Sequence, residues 1–125
     1  MKKYPVRCPI TAYECVMDGH WKPIIVWDLR NGGLRFKELL ELLVDISTKV
    51  LTDQLKELEE DQIVIRTSYR ESPPRVEYAL TEYGRTLIPV LATLREWGFK
   101  HLQQKPTLLV ESSPWVNRLN EPLGG

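Results

Sequence analysis

The order of patterns in residues 34–80 constrains the fold of this chain more than any other feature of the sequence. Two short segments with a helical spacing of apolar residues, 35–43 and 47–58, follow each other closely. A β-branched run at 63–67, a polar turn with two prolines and a second strand-like segment at 76–80 come next. Two short helices joined by a tight turn and followed directly by a hairpin are the outline of a winged helix-turn-helix. The sequence therefore predicts an α+β fold that is mostly helical and has this motif at its centre.

The second predicted helix carries a polar face that suits the major groove of DNA. Ser47 is expected to be its N-cap, with the hydroxyl accepting a hydrogen bond from a backbone amide of the first turn. Apolar residues recur on one side of the helix. The opposite side presents Thr48, Lys49, Thr52, Asp53 and Lys56. Lysine reaches phosphates or guanine acceptors, and threonine contacts phosphate or a thymine methyl group. The alternative is an ordinary solvated helix face, which the neighbouring turn and hairpin disfavour.

Asp53 is the exception on this face, because a carboxylate near phosphates costs electrostatic energy. One interpretation is that Asp53 accepts a hydrogen bond from a cytosine amino group. The other is that it tethers Lys49 or Lys56 on the surface of the helix. The tether is the favoured interpretation.

Further basic residues lie on both sides of this helix in the sequence. Arg35 and Lys37 begin the preceding helix, where members of this fold approach the DNA backbone. Arginines on the hairpin can enter a minor groove or clamp the backbone, although a solvated loop with incidental arginines is the alternative. The predicted DNA-binding set is Arg35, Lys37, Ser47, Thr48, Lys49, Thr52, Asp53, Lys56, Arg66, Arg70 and Arg75.

Composition limits the classes of protein that fit. The 125 residues are enough for one domain with a core and too few for two. The net charge is zero, with 17 basic and 17 acidic side chains, which argues against promiscuous nucleic-acid binding. Specific binding stays open, because only the footprint needs to be positive. No apolar run approaches about 18 residues and no signal peptide is evident, so the expected place is the cytoplasm, without membrane.

Residues that carry catalysis or bind metals are sparse. Two cysteines do not make a disulfide framework, and two histidines without clustered spacing do not indicate a zinc site. The chain has no glycine-rich phosphate loop and no nucleophile motif. We therefore expect no enzyme activity, no metal and no cofactor.

Cys8 directly precedes Pro9, which is suited to open a helix that runs to about Met17. A thiol at a helix N-terminus beside Arg7 is expected to have increased thiolate character. Cys8 is therefore either a redox-sensing candidate or a small hydrophobic residue at a dimer seam. Cys15 lies about 10 Å further along the same helix, beyond disulfide reach. Any disulfide of Cys8 would join two subunits or require the helix start to unwind, and Cys15 is expected in the core.

A long helix is predicted to begin near residue 81 and to contain Pro89, which would bend it. The dimerisation residues expected on its apolar stripe are Leu91, Leu94, Trp97 and Leu102. Such a stripe, extending past a small domain, favours a dimer interface over a ligand pocket. Pro106 closes the helix. The predicted division is a winged helix-turn-helix domain with terminal dimerisation helices at 1–105 and a C-terminal tail at 106–125.

Several pieces of the sequence also match one known family in order. They include Cys8-Pro9-Ile10, Gly19-His20-Trp21-Lys22, Arg35-Phe36-Lys37-Glu38-Leu39, Ile46-Ser47, Leu51-Thr52, Leu55-Lys56-Glu57-Leu58-Glu59, Pro73-Pro74-Arg75-Val76-Glu77-Tyr78, Leu80-Thr81 and Trp97-Gly98. In these pieces the chain resembles the HxlR-type branch of the MarR-related winged-helix transcription regulators of bacteria and archaea. The resemblance covers roughly residues 8–102.

The resemblance implies a homodimeric regulator that binds double-stranded DNA. The helix after Ser47 would enter the major groove, the hairpin would act as the wing, and the terminal helices would dimerise. Some members respond to electrophiles or oxidants through a cysteine that matches Cys8.

Three departures from the family pattern affect specific parts of this expectation. Asp18-Gly19-His20-Trp21 stands where Gly-Gly-Lys-Trp is usual, which bears on the entry to the next helix. Gln62 replaces the glycine that usually closes the recognition helix, and a positive φ there would cost about 1 kcal/mol. Asp53 replaces a neutral or basic residue, which bears on the operator sequence.

The leading hypothesis is a dimeric regulator on a pseudo-palindromic operator, with two recognition helices about 34 Å apart. The alternative is a winged-helix protein-interaction module without DNA binding, which the zero net charge and Asp53 favour. A sensing function of Cys8 would add to the first hypothesis. The sequence identifies no small-molecule effector.

Overall fold

The computed structural model describes residues 6–110 and residue 113. Most of the predicted tail lies outside the described residues. The chain divides into two compact units, Met1–Ile88 and Pro89–Gly125.

Helices dominate the first unit, and a hairpin follows them. The helices are α1 (Pro9–Met17), α2 (Trp21–Asp28), α3 (Phe36–Leu42) and α4 (Thr48–Glu60), and the strands are β1 (Val64–Tyr69) and β2 (Arg75–Leu80). A 3-10 turn at Gly84–Leu87 leads into α5 (Ile88–Gln104), and a second 3-10 turn covers Pro106–Leu108. The predicted fold, a mostly helical α+β winged helix-turn-helix, is confirmed.

Apolar side chains on the inner faces of α2, α3 and α4 build the core of the first unit. The apolar side chains exposed by 2% or less are Ile25, Val26, Leu29, Leu39, Leu43, Leu51, Leu55, Leu58, Ile63 and Val64. Helix α2 contacts both α3 and α4, and α4 contacts β1. Burying each of these side chains contributes about 1.5–3 kcal/mol, so the helix-turn-helix and the first strand share one apolar core.

The wing is an antiparallel hairpin that is tied to the loop before α3. Val64 pairs with Leu80 at the base, and Tyr69 pairs with Arg75 near the tip. The backbone amides and carbonyls of Leu34 and Tyr78 exchange two hydrogen bonds of 2.8 Å. A Cβ at Gly33 would meet the end of the Glu77 side chain, so Glu77 lies directly over the backbone of this loop.

Both ends of α4 have the backbone features that hold a helix in place. The Ser47 hydroxyl accepts a hydrogen bond of 3.1 Å from the Val50 amide, which confirms the predicted N-cap. Gln62 has φ of 62°, the positive value considered from the sequence, and Asp45 has φ of 74° in the turn before α4. Each residue holds a conformation that costs an ordinary L-residue on the order of 1 kcal/mol. The Thr81 hydroxyl donates to the Gln62 carbonyl at 2.6 Å, which ties the end of β2 to this joint.

The start of α5 differs from the sequence prediction. The helix begins at Ile88 rather than near residue 81, after the 3-10 turn at Gly84–Leu87. Gly84 lies so close to the Ile63 carbonyl that a Cβ would collide with it. Pro89 is the second residue of α5, so the prediction that it lies inside the helix was wrong. A proline fits the first turn because the amide it lacks would have no partner within the helix.

Candidate nucleic-acid interface

Helix α4 displays the predicted reading residues together on its solvent side. Leu51, Leu55 and Leu58 are at most 1% exposed on the inner side. The exposed side chains on the opposite side, which form the polar face or reading face of α4, include Thr48, Lys49, Thr52, Asp53 and Lys56. The helical periodicity therefore separates a core face from a polar face, as the sequence predicted.

Lys49 and Asp53 form an ion pair on this polar face. The Lys49 Nζ lies 2.9 Å from the Asp53 Oδ2, and the two side chains are 84% and 53% exposed. The hydrogen bond to Asp53, with the added attraction of its charge, raises the pKa of Lys49. The predicted tether is confirmed with Lys49 as its partner. Because both groups remain in water, a phosphate can replace the carboxylate as the partner of the lysine.

The two hydroxyl side chains next to this pair are partly committed to the helix itself. The Thr52 hydroxyl donates to the Thr48 carbonyl at 2.8 Å. Its one proton is therefore engaged, which leaves the methyl group and the oxygen lone pairs for other contacts. Ser47 likewise uses its oxygen to cap the helix.

The beginning of α3 adds two exposed basic residues. Arg35 precedes the first residue of α3, and both Arg35 and Lys37 are exposed. The Arg35 amide donates to the Glu38 Oε1 at 2.8 Å. Glu38 lies in the first turn of α3, where a negative charge interacts favourably with the helix dipole.

The three arginines of the wing are not equivalent. Arg66 and Arg70 are exposed. The Arg75 guanidinium lies 3.4 Å from the Glu71 Oε1 and 3.7 Å from the Glu77 Oε2. It also lies 4.2 Å from the centre of the Tyr69 ring. Arg75 therefore braces the hairpin, and its predicted DNA contact stays a prediction.

A buried lysine behind α4 is the feature that the sequence reasoning missed. Lys22 in α2 is 1% exposed, and its Nζ lies 2.7 Å from the Asp18 Oδ1 and 3.0 Å from the Glu57 Oε1. Burial lowers the pKa of Lys22, but the hydrogen bonds and charges of Asp18 and Glu57 outweigh it, so the net pKa lies above the ordinary 10.5. A lysine inside the apolar segment Trp21–Trp27, four residues after an aspartate, was the available signal.

The candidate sensing residue is accessible. Cys8 is the N-cap residue of α1, as predicted, and its side chain is exposed. Cys15 is only half-buried, so the prediction of a core position was wrong. Both cysteines are free in the described chain. Whether Cys8 senses oxidants stays a prediction.

The predicted dimerisation residues differ in exposure along α5. Leu91 is 5% exposed, whereas Leu94 is 51% and Trp97 is 65% exposed. The Trp97 ring stacks on His101 with centroids 5.0 Å apart. Leu102 is half-buried. The exposed apolar surface of the helix is therefore centred on Leu94 and Trp97.

Residues 6–110 and 113 contain neither a cluster of metal ligands nor a helix that could span a membrane. No three His, Cys, Asp or Glu side chains there cluster as metal ligands. None of the helices in that part of the chain has the length and hydropathy to cross a membrane.

Comparisons with known proteins agree with this architecture. Residues 16–106 match the family model for the HxlR-like helix-turn-helix. The HTH-type transcriptional regulator YdeP of Bacillus subtilis is 43% identical over 94 residues, which covers 75% of this chain and 73% of YdeP.

Two solved structures extend the likeness to redox regulators. The redox regulator HypR in its oxidized form is 44% identical, covers 73% of this chain and 94% of its own, and has a TM-score of 0.70. The reduced transcriptional regulator YodB from B. subtilis is 35% identical, covers 76% of this chain and 94% of its own, and has a TM-score of 0.67. The relatives are transcriptional regulators rather than enzymes. This chain belongs to the HxlR-like helix-turn-helix family of transcriptional regulators.

Proposed function

We propose that this regulator acts in the cytoplasm as a homodimer on a pseudo-palindromic operator in double-stranded DNA. The observation that carries the proposal is the exposed polar face of α4. In the chain, α4 follows α3 and a short turn, and it precedes the β1–β2 wing. Two copies of α4 would enter successive major grooves about 34 Å apart. Residues 1–105 would supply DNA binding and dimerisation.

The charged residues of the interface would divide into two kinds of contact. Lys49, Thr52 and Lys56 would contact base edges or nearby phosphates in the major groove. Arg35, Lys37, Arg66 and Arg70 would contact the backbone on either side of the groove, because all four are exposed. Thr48 and Ser47 would approach phosphate at the start of α4. Arg75 would support the wing rather than lead the contact, because two carboxylates already surround it.

The dimer would form through α5. Leu94 and Trp97 expose large apolar surface, and burying such surface is the main driving force for association. Leu91 and Leu102 would support the same seam from its less exposed side.

A response to oxidants or electrophiles would act through Cys8. The exposure of Cys8 supports this part of the proposal. Solved structures of the related proteins describe HypR as a redox regulator with oxidized and reduced forms, and YodB after treatment with diamide. Replacement of Cys8 by serine should abolish a response to diamide and spare DNA binding in the untreated protein. An undiminished response in this variant would exclude Cys8 as the sensor.

A protein-interaction module without DNA binding is the second candidate. The exposed carboxylate of Asp53 on the reading face favours it, because this group repels phosphate. The chain also has no net charge.

Selection from randomised DNA duplexes, followed by a salt titration of the selected duplex, tests the proposal. The wild type should enrich a pseudo-palindrome and bind it less tightly as salt rises. Lys49→Ala combined with Lys56→Ala should weaken binding at least tenfold and reduce the salt slope by about two. Lys105→Ala is the matched control, because it removes an exposed lysine outside α4. Failure to bind any duplex at low salt would favour the protein-interaction module.

A further inference from the structure

Lys22 is a charged residue at a fully buried position, where most proteins have an apolar side chain. It is the only charged side chain among the described residues that is fully buried. A lysine ammonium is costly to remove from water unless hydrogen-bonded anions surround it. An arrangement of this kind gives little net stability compared with apolar packing, so its geometry is the more informative property.

The two anions that surround Lys22 come from different helices. Asp18 is the C-cap residue of α1, and Glu57 lies in the third turn of α4. The Lys22 Nζ donates to the Asp18 Oδ1 at 2.7 Å and to the Glu57 Oε1 at 3.0 Å. One buried ammonium thus joins the end of α1, the start of α2 and the C-terminal half of α4.

Gln54 and Gly19 extend the contact between the α1–α2 junction and α4. The Gln54 Nε2 donates to the Glu57 Oε2 at 3.4 Å, so both carboxylate oxygens of Glu57 are engaged. The Gln54 Oε1 lies 4.0 Å from the position of a Cβ on Gly19, which has φ of 87°. The segment from Asp18 to Lys22 therefore lies against two consecutive turns of α4.

These contacts are directional, whereas the apolar contacts of α4 are not. Leu51, Leu55 and Leu58 hold the helix against the core but permit small rotations and axial shifts, because burial of apolar surface has no preferred direction. A hydrogen-bonded ion pair has a short distance and a narrow angular range. Glu57 directly follows Lys56 in the sequence and Gln54 directly follows Asp53, so a shift at either residue moves the reading face.

We propose that Lys22 is a positioning residue for DNA recognition, which holds α4 in register with the α1–α2 junction through Glu57 and Asp18. The inference rests on the proposed DNA-binding function. Lys22 does not touch the nucleic acid. It sets the rotation and depth of α4, so that its removal reduces discrimination between an operator and other DNA more than it reduces general affinity for phosphate.

The test uses the full chain carrying Lys22→Met and Glu57→Gln together. These changes remove the charges of Lys22 and Glu57, leave the Asp18 carboxylate half-exposed to water, and keep similar side-chain volumes, so the core stays filled. At a temperature where circular dichroism shows every variant folded, the affinity for the duplex selected by the wild type is compared with that for unrelated duplex. We expect the affinity ratio to fall at least tenfold, and the affinity for unrelated DNA to stay within about threefold.

Val26→Ala in α2 is the matched control, because it weakens the same helix without touching the ion pair. Val26 is 0% exposed. This control should keep the affinity ratio of the wild type. An unchanged ratio in the double variant, or an equal loss in Val26→Ala, would overturn the proposal, because the effect would then come from packing or would not exist.

Amide hydrogen exchange without DNA provides a second readout. In the double variant, the amides of α4 should exchange at least tenfold faster, while those of the β1–β2 hairpin keep their protection. Unchanged exchange in α4 would also overturn the positioning function. If the wild type selects no duplex, the proposed DNA-binding function fails, and exchange in α4 alone then decides whether Lys22 holds the helix.

Discussion

Two lysine–carboxylate contacts lie on opposite sides of α4, and they have nearly the same length. Lys22 and Glu57 are 3.0 Å apart behind the helix, and Lys49 and Asp53 are 2.9 Å apart on its polar face. The exposed fraction of the lysine side chain is 1% in the first pair and 84% in the second. Water screens the second pair and offers both of its groups an alternative partner, whereas water does not reach the Lys22 ammonium in the first pair. The same chemistry therefore holds the helix on one side and leaves its charge exchangeable on the other.

The largest effect is expected when the buried pair loses its cation. Lys22→Ala leaves Glu57 and Asp18 without their buried partner, and should lower the free energy of unfolding by about 3 kcal/mol. The estimate is at the low end because the Glu57 and Asp18 side chains are 29% and 50% exposed. Denaturant unfolding measures the change. Lys56→Ala on the exposed side should leave the midpoint unaltered, and a comparable loss in both variants would remove the distinction between the two sides.

Alkaline pH tests the buried pair by neutralising Lys22 in the wild type. The pKa of Lys22 in the folded chain lies above its ordinary value of 10.5. Its stabilising contribution is therefore fully present below that value and is lost as the pH rises through the folded pKa. Above pH 10.5, the unfolding free energy of the wild type should fall more steeply with pH than that of the Lys22→Met, Glu57→Gln variant. Parallel curves from urea titrations at pH 8 to 12 would contradict the contribution of the buried pair.

The backbone at the end of α4 offers a smaller effect of opposite sign. Gln62 has φ of 62°, a conformation that glycine adopts without a steric cost. Gln62→Gly should raise the free energy of unfolding by about 0.5–1 kcal/mol, since the relief of strain exceeds the added entropy of the unfolded chain. Asp45→Gly is the comparison at the other end, where φ is 74°, and should give less because aspartate tolerates this region better. A decrease in stability for Gln62→Gly would mean that the glutamine side chain contributes more than its backbone costs.

The smallest effect on stability is expected at the exposed pair. Asp53→Asn should leave the melting temperature unchanged, because the pair is screened by water. The same change removes a carboxylate that repels phosphate from the reading face, so the salt slope of DNA binding should become steeper. A shift assay over a range of salt concentrations measures the slope. An unchanged slope together with lost preference for one base would instead indicate that Asp53 reads a cytosine.

Local patterns predicted much of the fold and of the polar face. The bounds of α1, the N-cap at Ser47 and the separation of the two faces of α4 depend on residues a few positions apart. The Lys49–Asp53 tether has the same origin, because residues four apart on a helix are always neighbours. These features needed no knowledge of the tertiary structure.

Burial and contacts that depend on residues far apart in the sequence could not be predicted from local patterns. Cys15 lies in a helix with apolar neighbours, but its burial depends on what packs against that helix, and it is half-buried. Arg75 looks like its neighbours Arg66 and Arg70 in the sequence. Only the register of the hairpin brings it against Tyr69, Glu71 and Glu77.

The sequence by itself determined the order of elements, the family and the chemical character of the reading face. These depend on periodicity and short-range capping, which act between residues that are close in the chain. The tertiary structure decided which carboxylate accepts from Lys22, because Glu57 is 35 positions away and becomes a neighbour only when α2 packs against α4. It also decided which of two lysine–carboxylate contacts is buried. Burial sets the dielectric around a charge, and burial is a property of the packed chain rather than of any segment.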